Sequence, residues 1–336
     1  MSSYDVHIGK LISGRRGLEG SESYILCTPD KQIVEIDSTR LHEGIFVSTA
    51  EMEDALYEYC KSAMDEYIAE GNNEDVYTFS IYTDTYHGSY IIYINNQNTL
   101  NEMVEDSYTR ERKRHRNKDE SEVREKLCAE LKYAEGDFSF MYEDMPERLE
   151  KWLGMFYCIS LEEPRFLDID QAYIFEKTLF DSQLFLIAID VIQRLQPDFE
   201  QLQRTDDFIA YVSAADGVGG DYLTTSQLLR KCVSQKQLYK AMPDVEEKDL
   251  EFQAAVQSVK QLPLDEQVQH WIHALDHGEF GKNSPYSFWK TDYEVYEQLI
   301  GLGQEAVPAI EKHLNDELKQ DTKRILHMVL EDLEQL

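Results

Sequence analysis

Val76-Tyr77-Thr78-Phe79-Ser80-Ile81-Tyr82 and Ser89-Tyr90-Ile91-Ile92-Tyr93-Ile94 are two runs rich in β-branched and aromatic residues. The six residues between them, Thr83-Asp84-Thr85-Tyr86-His87-Gly88, are mostly polar and end on glycine. Two such runs joined by turn residues predict an antiparallel hairpin. Immediately upstream, Thr49 is placed to cap a helix in which Met52, Leu56, Tyr59, Cys60, Ala63, Met64, Tyr67 and Ile68 recur at helical spacing on one face. Gly71-Asn72-Asn73 stops that helix. An amphipathic helix leading into a hairpin sets the class as α+β, a mainly antiparallel sheet with helices packed on it.

Working outward, residues 1–48 form a β-rich segment. Tyr24–Cys27, Gln32–Ile36 and Gly44–Val47 read as strands, the first two separated by the turn Thr28-Pro29-Asp30-Lys31. Downstream, a polar helix is expected over about 99–132. Another is expected after Asp144, with Pro146 in its first turn and Leu149, Trp152, Leu153, Phe156 and Tyr157 on its apolar face. The most apolar stretch, Asp170–Leu195, reads as one long buried helix, and Asp207–Ser213 reads as a further strand. These pieces make an α+β domain over 49–244. From 245 to 336 the pattern is helical only. There Leu299-Ile300-Gly301-Leu302-Gly303-Gln304-Glu305-Ala306-Val307-Pro308-Ala309-Ile310 resembles the turn and second helix of a HEAT-type repeat.

Composition bounds the function. A chain of 336 residues with 42% hydrophobic and 11% aromatic residues is globular and long enough for about two domains. Its 33 Lys and Arg face 65 Asp and Glu, for a formal net charge of −32. A surface of that sign repels nucleic acid and anionic membrane and attracts cationic partners. The five cysteines, Cys27, Cys60, Cys128, Cys158 and Cys232, contain no CxxC pair, and reduced thiols in the cytoplasm are expected. The first residues lack the pattern of a signal peptide, and no apolar run approaches the roughly 20 residues that span a bilayer.

The strand Tyr77-Thr78-Phe79-Ser80-Ile81-Tyr82-Thr83-Asp84, the later strand Phe208–Ser213 and the segment Ser234-Gln235-Lys236-Gln237-Leu238 carry a family resemblance. In that order, over about Thr49–Pro243, the chain resembles a bacterial family known only as a domain of unknown function. The resemblance implies an α+β domain in a cytosolic protein, of a kind in which some members lie beside toxin genes as candidate immunity proteins. It implies no catalytic residue.

Three constellations bear on chemistry. From Glu43 to Asp106 there are fourteen Asp and Glu against one Lys, Lys61, and the run Arg110–Lys118 that follows holds six Lys and Arg in nine residues. A basic run without aromatics, inside a strongly negative chain, reads as a solvated segment, so nucleic acid is not an expected partner. His270, His273 and His277 share one helical face and are weak metal candidates. A single helix rarely supplies three ligands, and histidine near a helix C-terminus has a plain electrostatic role. Asp216-Gly217-Val218-Gly219-Gly220-Asp221 lacks both GxGxxG and the P-loop ending and reads as a turn. No GxSxG, HExxH or local cysteine-protease signature is present, and no cofactor is expected. These features predict a non-enzymatic acidic binding protein of toxin-immunity or inhibitor type that holds a basic protein. The expected contact residues are Glu70, Glu74, Asp75, Tyr82, Asp84, Tyr86 and Tyr90, with carboxylates steering and rings anchoring. Two alternatives stay open: an enzyme or small-ligand protein with a site between the sheet and the helix Asp170–Leu195, and a phage-type inhibitor that mimics nucleic-acid charge.

Overall fold

A computed structural model describes residues 23–84, 87–111, 119–179, 183–214, 222–278 and 292–335. The chain divides into two compact units. One comprises Leu18–Ala215 with Lys231–Gln237, and the other includes Asp216–Arg230 and Leu238–Leu336. The division at Ala215/Asp216 precedes the 244/245 boundary read from the pattern, and Lys231–Gln237 returns to the first unit.

In the first unit the strands and helices run in the order β1 (Ser23–Cys27), β2 (Ile33–Asp37), β3 (Ile45–Val47), α1 (Thr49–Ala69), β4 (Val76–Asp84), β5 (Ser89–Asn96), α2 (Gln97–Glu111), α3 (Glu120–Leu131), β6 (Phe140–Tyr142), α4 (Glu147–Ser160), β7 (Tyr173–Glu176), α5 (Gln183–Arg194) and β8 (Arg204–Ala214). They build two four-stranded sheets, ordered β2-β1-β7-β3 and β6-β5-β4-β8. Pairing is antiparallel except for β3 with β7 and β4 with β8. The β-rich N-terminal segment therefore shares a sheet with residues 173–176.

α1 buries Met52, Ala55, Leu56, Tyr59, Cys60, Ala63, Met64 and Tyr67, which is the expected stripe with Ala55 added and Ile68 at its margin. Its cap is one residue earlier than expected. Ser48 is the N-cap and forms a reciprocal capping box with Glu51. The hairpin turn rests on Gly88, whose φ of +63° places it in the left-handed region and whose missing Cβ leaves room for Leu153 O and Phe156.

The stretch Asp170–Leu195 departs from the expected single helix. Its first part, Tyr173-Ile174-Phe175-Glu176, is β7, paired with β1 on one side and β3 on the other, and only α5 is helical. Ladder bonds on both edges and a β-branched, aromatic composition outweigh the apolar periodicity. The polar helix expected over 99–132 is two helices, α2 and α3. They are joined across their surfaces by Arg124, which contacts Glu105 at 2.6 Å and stacks over Tyr108 at 3.8 Å.

The second unit is helical: α6 (Tyr222–Cys232), α7 (Gln235–Ala241), α8 (Pro243–Val259), α9 (Leu264–His277), α10 (Asp292–Gly301), α11 (Val307–His313) and α12 (Gln320–Glu334), with α6 and α7 crossing the boundary between units. Phe252, Trp271, Tyr296, Leu299, Ile310 and Leu326 lie in its core. Gly303, at φ +75°, reverses the chain between α10 and α11, and Pro308 sits in the first turn of α11. This is the helical hairpin read from the sequence.

Candidate functional site

α1 and the segment Ser139–Asp144 enclose a groove of about 200 Å³. Tyr59, Ala63, Glu66 and Glu70 recur along one side of α1 at helical spacing. Tyr142, Glu143 and Asp144 face them from β6 and the residues after it. Asp144, expected as a helix cap, lines this groove instead, because α4 begins after Pro146 without a side-chain cap. Four carboxylates, those of Glu66, Glu70, Glu143 and Asp144, line the groove, with no Lys or Arg among the described residues that line it.

Two tyrosine hydroxyls register the resulting field. Tyr142 donates to Glu70 Oε2 at 3.4 Å, and Tyr59 donates to the Tyr142 carbonyl. Burial pushes the Tyr142 hydroxyl above its ordinary pKa, and the charges of Glu70 and Glu66 push it further. The Tyr59 hydroxyl rises through burial first, then Cys60, Glu143, Asp144 and Glu66. Both therefore remain donors at any physiological pH.

The helix itself adds to the field. α1 ends at Ala69 with Glu70 as its C-cap residue and no basic residue in the last turn. The C-terminal carbonyls of a helix carry partial negative charge, so Glu66 and Glu70 stand where carboxylates are disfavoured. The N-terminal half of α1 is different. There Glu53 and Asp54 pair with Arg194, and Glu58 pairs with Arg148 at 2.6 Å.

The expected contact residues do not form one surface. Glu70 is in the groove. Glu74 and Asp75 are exposed in the turn between α1 and β4, with Asp75 at φ +47°. Tyr82 and Asp84 lie toward the far end of β4, about 23 and about 30 Å beyond Asp75 at the rise of a strand. Tyr82 is half-buried against Tyr93 with ring centroids 5.9 Å apart, and Asp84 accepts from the His87 amide at 2.9 Å and lies 2.5 Å from its ring Nδ1. Tyr90 is in the core. It is 1% exposed and donates to Leu184 O at 2.9 Å, so no partner reaches its ring. Tyr86 lies outside the described residues, as do 112–118 of the basic run and the loop 216–221.

The histidines separate as well. His273 and His277 stack with centroids 3.9 Å apart, whereas the His270 ring lies edge-on to Trp271. Among the described residues no group of three or more His, Cys, Asp or Glu is placed to hold a metal.

The described side chains between the second sheet and α5 pack against one another. Leu184, Phe185, Ile187, Ala188, Val191 and Ile192 are buried, and Phe79 of the sheet packs on Phe199 with centroids 5.1 Å apart. The polar chemistry of this sheet lies on its other face, where the register aligns Ser80 with Tyr93 and Tyr211, and Tyr82 with Ser213. There the Glu135 carboxyl accepts from the Ser80 hydroxyl and faces the hydroxyls of Ser213 and Tyr211. A second groove, of about 770 Å³, runs along β8 past Arg204, Asp206, Phe208, Ser234 and Gln237. The Gln237 amide donates to the carbonyls of Asp206 and Phe208 at 3.1 and 2.9 Å.

No protein-family model, curated protein or solved structure matches this chain. No helix among the described residues is long and apolar enough to cross a membrane.

Proposed function

We propose that this chain is a non-enzymatic binding protein of immunity or inhibitor type, acting in the cytoplasm, that seats a basic side chain of a partner protein in the groove between α1 and β6. The observation that carries the proposal is the uncompensated C-terminus of α1. Glu66 and Glu70 add full negative charges to the negative end of the helix, and Glu143 and Asp144 face them across the groove. Such an arrangement opposes folding and favours a bound cation. A lysine or arginine would exchange hydration for carboxylates and helix carbonyls, with the half-buried Tyr142 ring beside its aliphatic stem. The net charge of −32 speeds the encounter, and the groove holds what arrives.

Paired measurements on Glu66→Gln/Glu70→Gln test this. Without a partner, the double variant is expected to be more stable than the wild type, by roughly 0.3–1 kcal/mol per removed charge. Its affinity for an oligolysine peptide is expected to fall about tenfold at 0.1 M salt, equivalent to about 1.4 kcal/mol. Glu74→Gln/Asp75→Asn removes the same charge outside the groove and serves as control. Equal losses in the two variants would mean that net charge alone attracts the peptide, and the groove assignment would fall.

The β8 groove favours a second reading, a small-ligand site, because its volume lies in the range of about 300–1,000 Å³ that encloses small molecules. Its lining of one Arg, one Asp and several neutral polar groups selects no ligand class, which places it behind the acidic groove.

A further inference from the structure

One wall of the acidic groove belongs to a single segment, Tyr133–Asp144, and the start of that segment is fixed to the second sheet in an unusual way. Tyr133 and Phe138 pack edge-on against Tyr77 at 5.9 and 6.3 Å, and Phe138 packs against Tyr93 at 6.1 Å. Between these rings, Glu135 turns its carboxyl into the polar face of the sheet, where the Ser80 hydroxyl of β4 donates to it and Ser213 and Tyr211 of β8 face it. Nine residues after Tyr133 the same segment delivers Tyr142, and then Glu143 and Asp144, to the groove.

We propose that Glu135 is a proton-dependent clasp on the groove wall: protonated, it fastens Tyr133–Phe138 to the sheet and holds β6 against α1; ionised, it releases that wall and weakens the groove. The inference deepens the groove reading and rests on it.

The groups around the carboxyl explain why ionisation is costly there. From β4 come Ser80, Tyr77 and Tyr82, from β5 Tyr93, from β8 Tyr211 and Ser213, and from its own segment Tyr133. All are neutral, and no histidine is among them. Lys132, three residues earlier, lies over the rings of Tyr77 and Tyr133 but gives its ion pair to Asp207 at 2.5 Å, and among the described residues no ion pair to Glu135 is present. Burial therefore raises the Glu135 carboxyl, and the nearby hydroxyls of Ser213, Ser80 and Tyr211 pull it back only in part. A carboxylate turned into the sheet with no ion pair among the described residues is costly to ionise. Its added charge would attract a bound cation only weakly through the screened groove, so release of the wall dominates. Because the folded value lies above the unfolded one, the native state holds the proton longer. The clasp is complete below the ordinary glutamate value of about 4.3 and is lost as pH rises through the raised value.

Hydrogen exchange on the full chain reads the clasp without any partner. Over a pH series that starts below about 4.3 and rises until protection changes, with labelling times scaled for the intrinsic rate, wild-type amides in 133–144 are expected to lose protection at least tenfold relative to Glu135→Gln. The neutral amide cannot ionise and should hold its protection flat. Parallel behaviour of the two proteins overturns the proposal. Should the glutamine variant fold poorly, Tyr211→Phe carries the test. It removes a hydroxyl dipole that faces the ionised carboxyl, so the pH at which protection is lost must move upward, and an unmoved midpoint overturns the clasp. Oligolysine affinity, measured on the same samples, is expected to fall over the same pH range in the wild type and not in Glu135→Gln. Absence of oligolysine binding at every pH, with the exchange result as expected, refutes the groove reading and leaves the clasp standing.

Discussion

Removing Asp249 should destabilise the helical unit far more than removing Asp249 and Arg230 together. Asp249 is 2% exposed, and the Arg230 guanidinium clasps it in two parallel bonds, Nη1 to Oδ2 at 2.7 Å and Nη2 to Oδ1 at 2.9 Å. The Tyr239 hydroxyl donates to Oδ2 at 2.9 Å. Breaking a buried pair from one side leaves the other charge uncompensated, at a cost of about 3–5 kcal/mol. The two sides are not equal. The Arg230 side chain keeps 18% of its surface exposed and the Asp249 side chain only 3%, so an orphaned guanidinium can reach water and an orphaned carboxylate cannot. Asp249→Leu should then fall near the lower limit, about 3 kcal/mol, and Arg230→Met near the upper, about 5 kcal/mol. The double variant replaces both charges by apolar side chains and should lie within about 2 kcal/mol of the wild type. Native-state exchange of the α8 amides localises the measurement to the unit that contains the pair. A double variant whose cost equals the sum of the singles to within about 0.5 kcal/mol would show that the two residues act independently, and would refute the argument.

Two further outcomes follow from backbone and thiol chemistry. Gly88→Ala places a Cβ 2.6 Å from Leu153 O and 2.8 Å from Phe156 Cβ at a φ of +63°. It should cost about 2–5 kcal/mol in urea denaturation, whereas a cost below 1 kcal/mol would mean that the hairpin turn is not seated on α4. The Cys27 thiol is pushed up to about 12 by burial and then by Cys158, and the Cys232 thiol to about 12 by burial. Neither should react with an aromatic disulfide reagent between pH 7 and 9 until the chain is unfolded, and labelling of either in the native state at the rate of a free thiol would contradict that placement.

The parts of the fold that could be read in advance are those with a local period. α1 announces its face because Met52, Leu56, Tyr59, Ala63 and Tyr67 repeat at helical spacing, and the hairpin announces itself through composition and turn. What escaped was decided by partners distant in sequence. Tyr173–Glu176 becomes a strand because β1 and β3 offer it two edges about 130–150 residues away. Tyr90 illustrates the limit of alternation. Both faces of β4 and β5 are covered, so the two sides of the hairpin carry similarly apolar residues, and only the register shows Tyr90 on the α5 face and Tyr93 on the polar face. The groove escaped for a related reason. β6 is three residues long, too short to show a period, and without it Glu143 and Asp144 cannot be placed opposite Glu66 and Glu70. The i, i+4 spacing of Glu66 and Glu70 beside the apolar stripe, at a helix end with no basic residue, was the signal available.

The acidic block therefore acquires meaning only through the fold. Fourteen carboxylates between Glu43 and Asp106 look equivalent as a count, yet the structure answers many of them locally. Glu43 pairs with Arg40, Glu53 and Asp54 with Arg194, Glu58 with Arg148, and Glu105 with Arg124. Exposed pairs of this kind contribute little stability, typically 0–1 kcal/mol, but they remove the charge from a partner's view. Among the described residues no Lys or Arg pairs with Glu66 or Glu70, and two further carboxylates from a distant segment are brought in to face them. Of the carboxylates that these pairs leave over, Glu66 and Glu70 stand where a helix end already repels anions. A chain selected for net charge alone would gain nothing from that placement. Stability that is given up in the free protein and recovered when a cation binds is the physical signature of a site, and it is what the paired stability and affinity measurements on Glu66 and Glu70 are designed to detect.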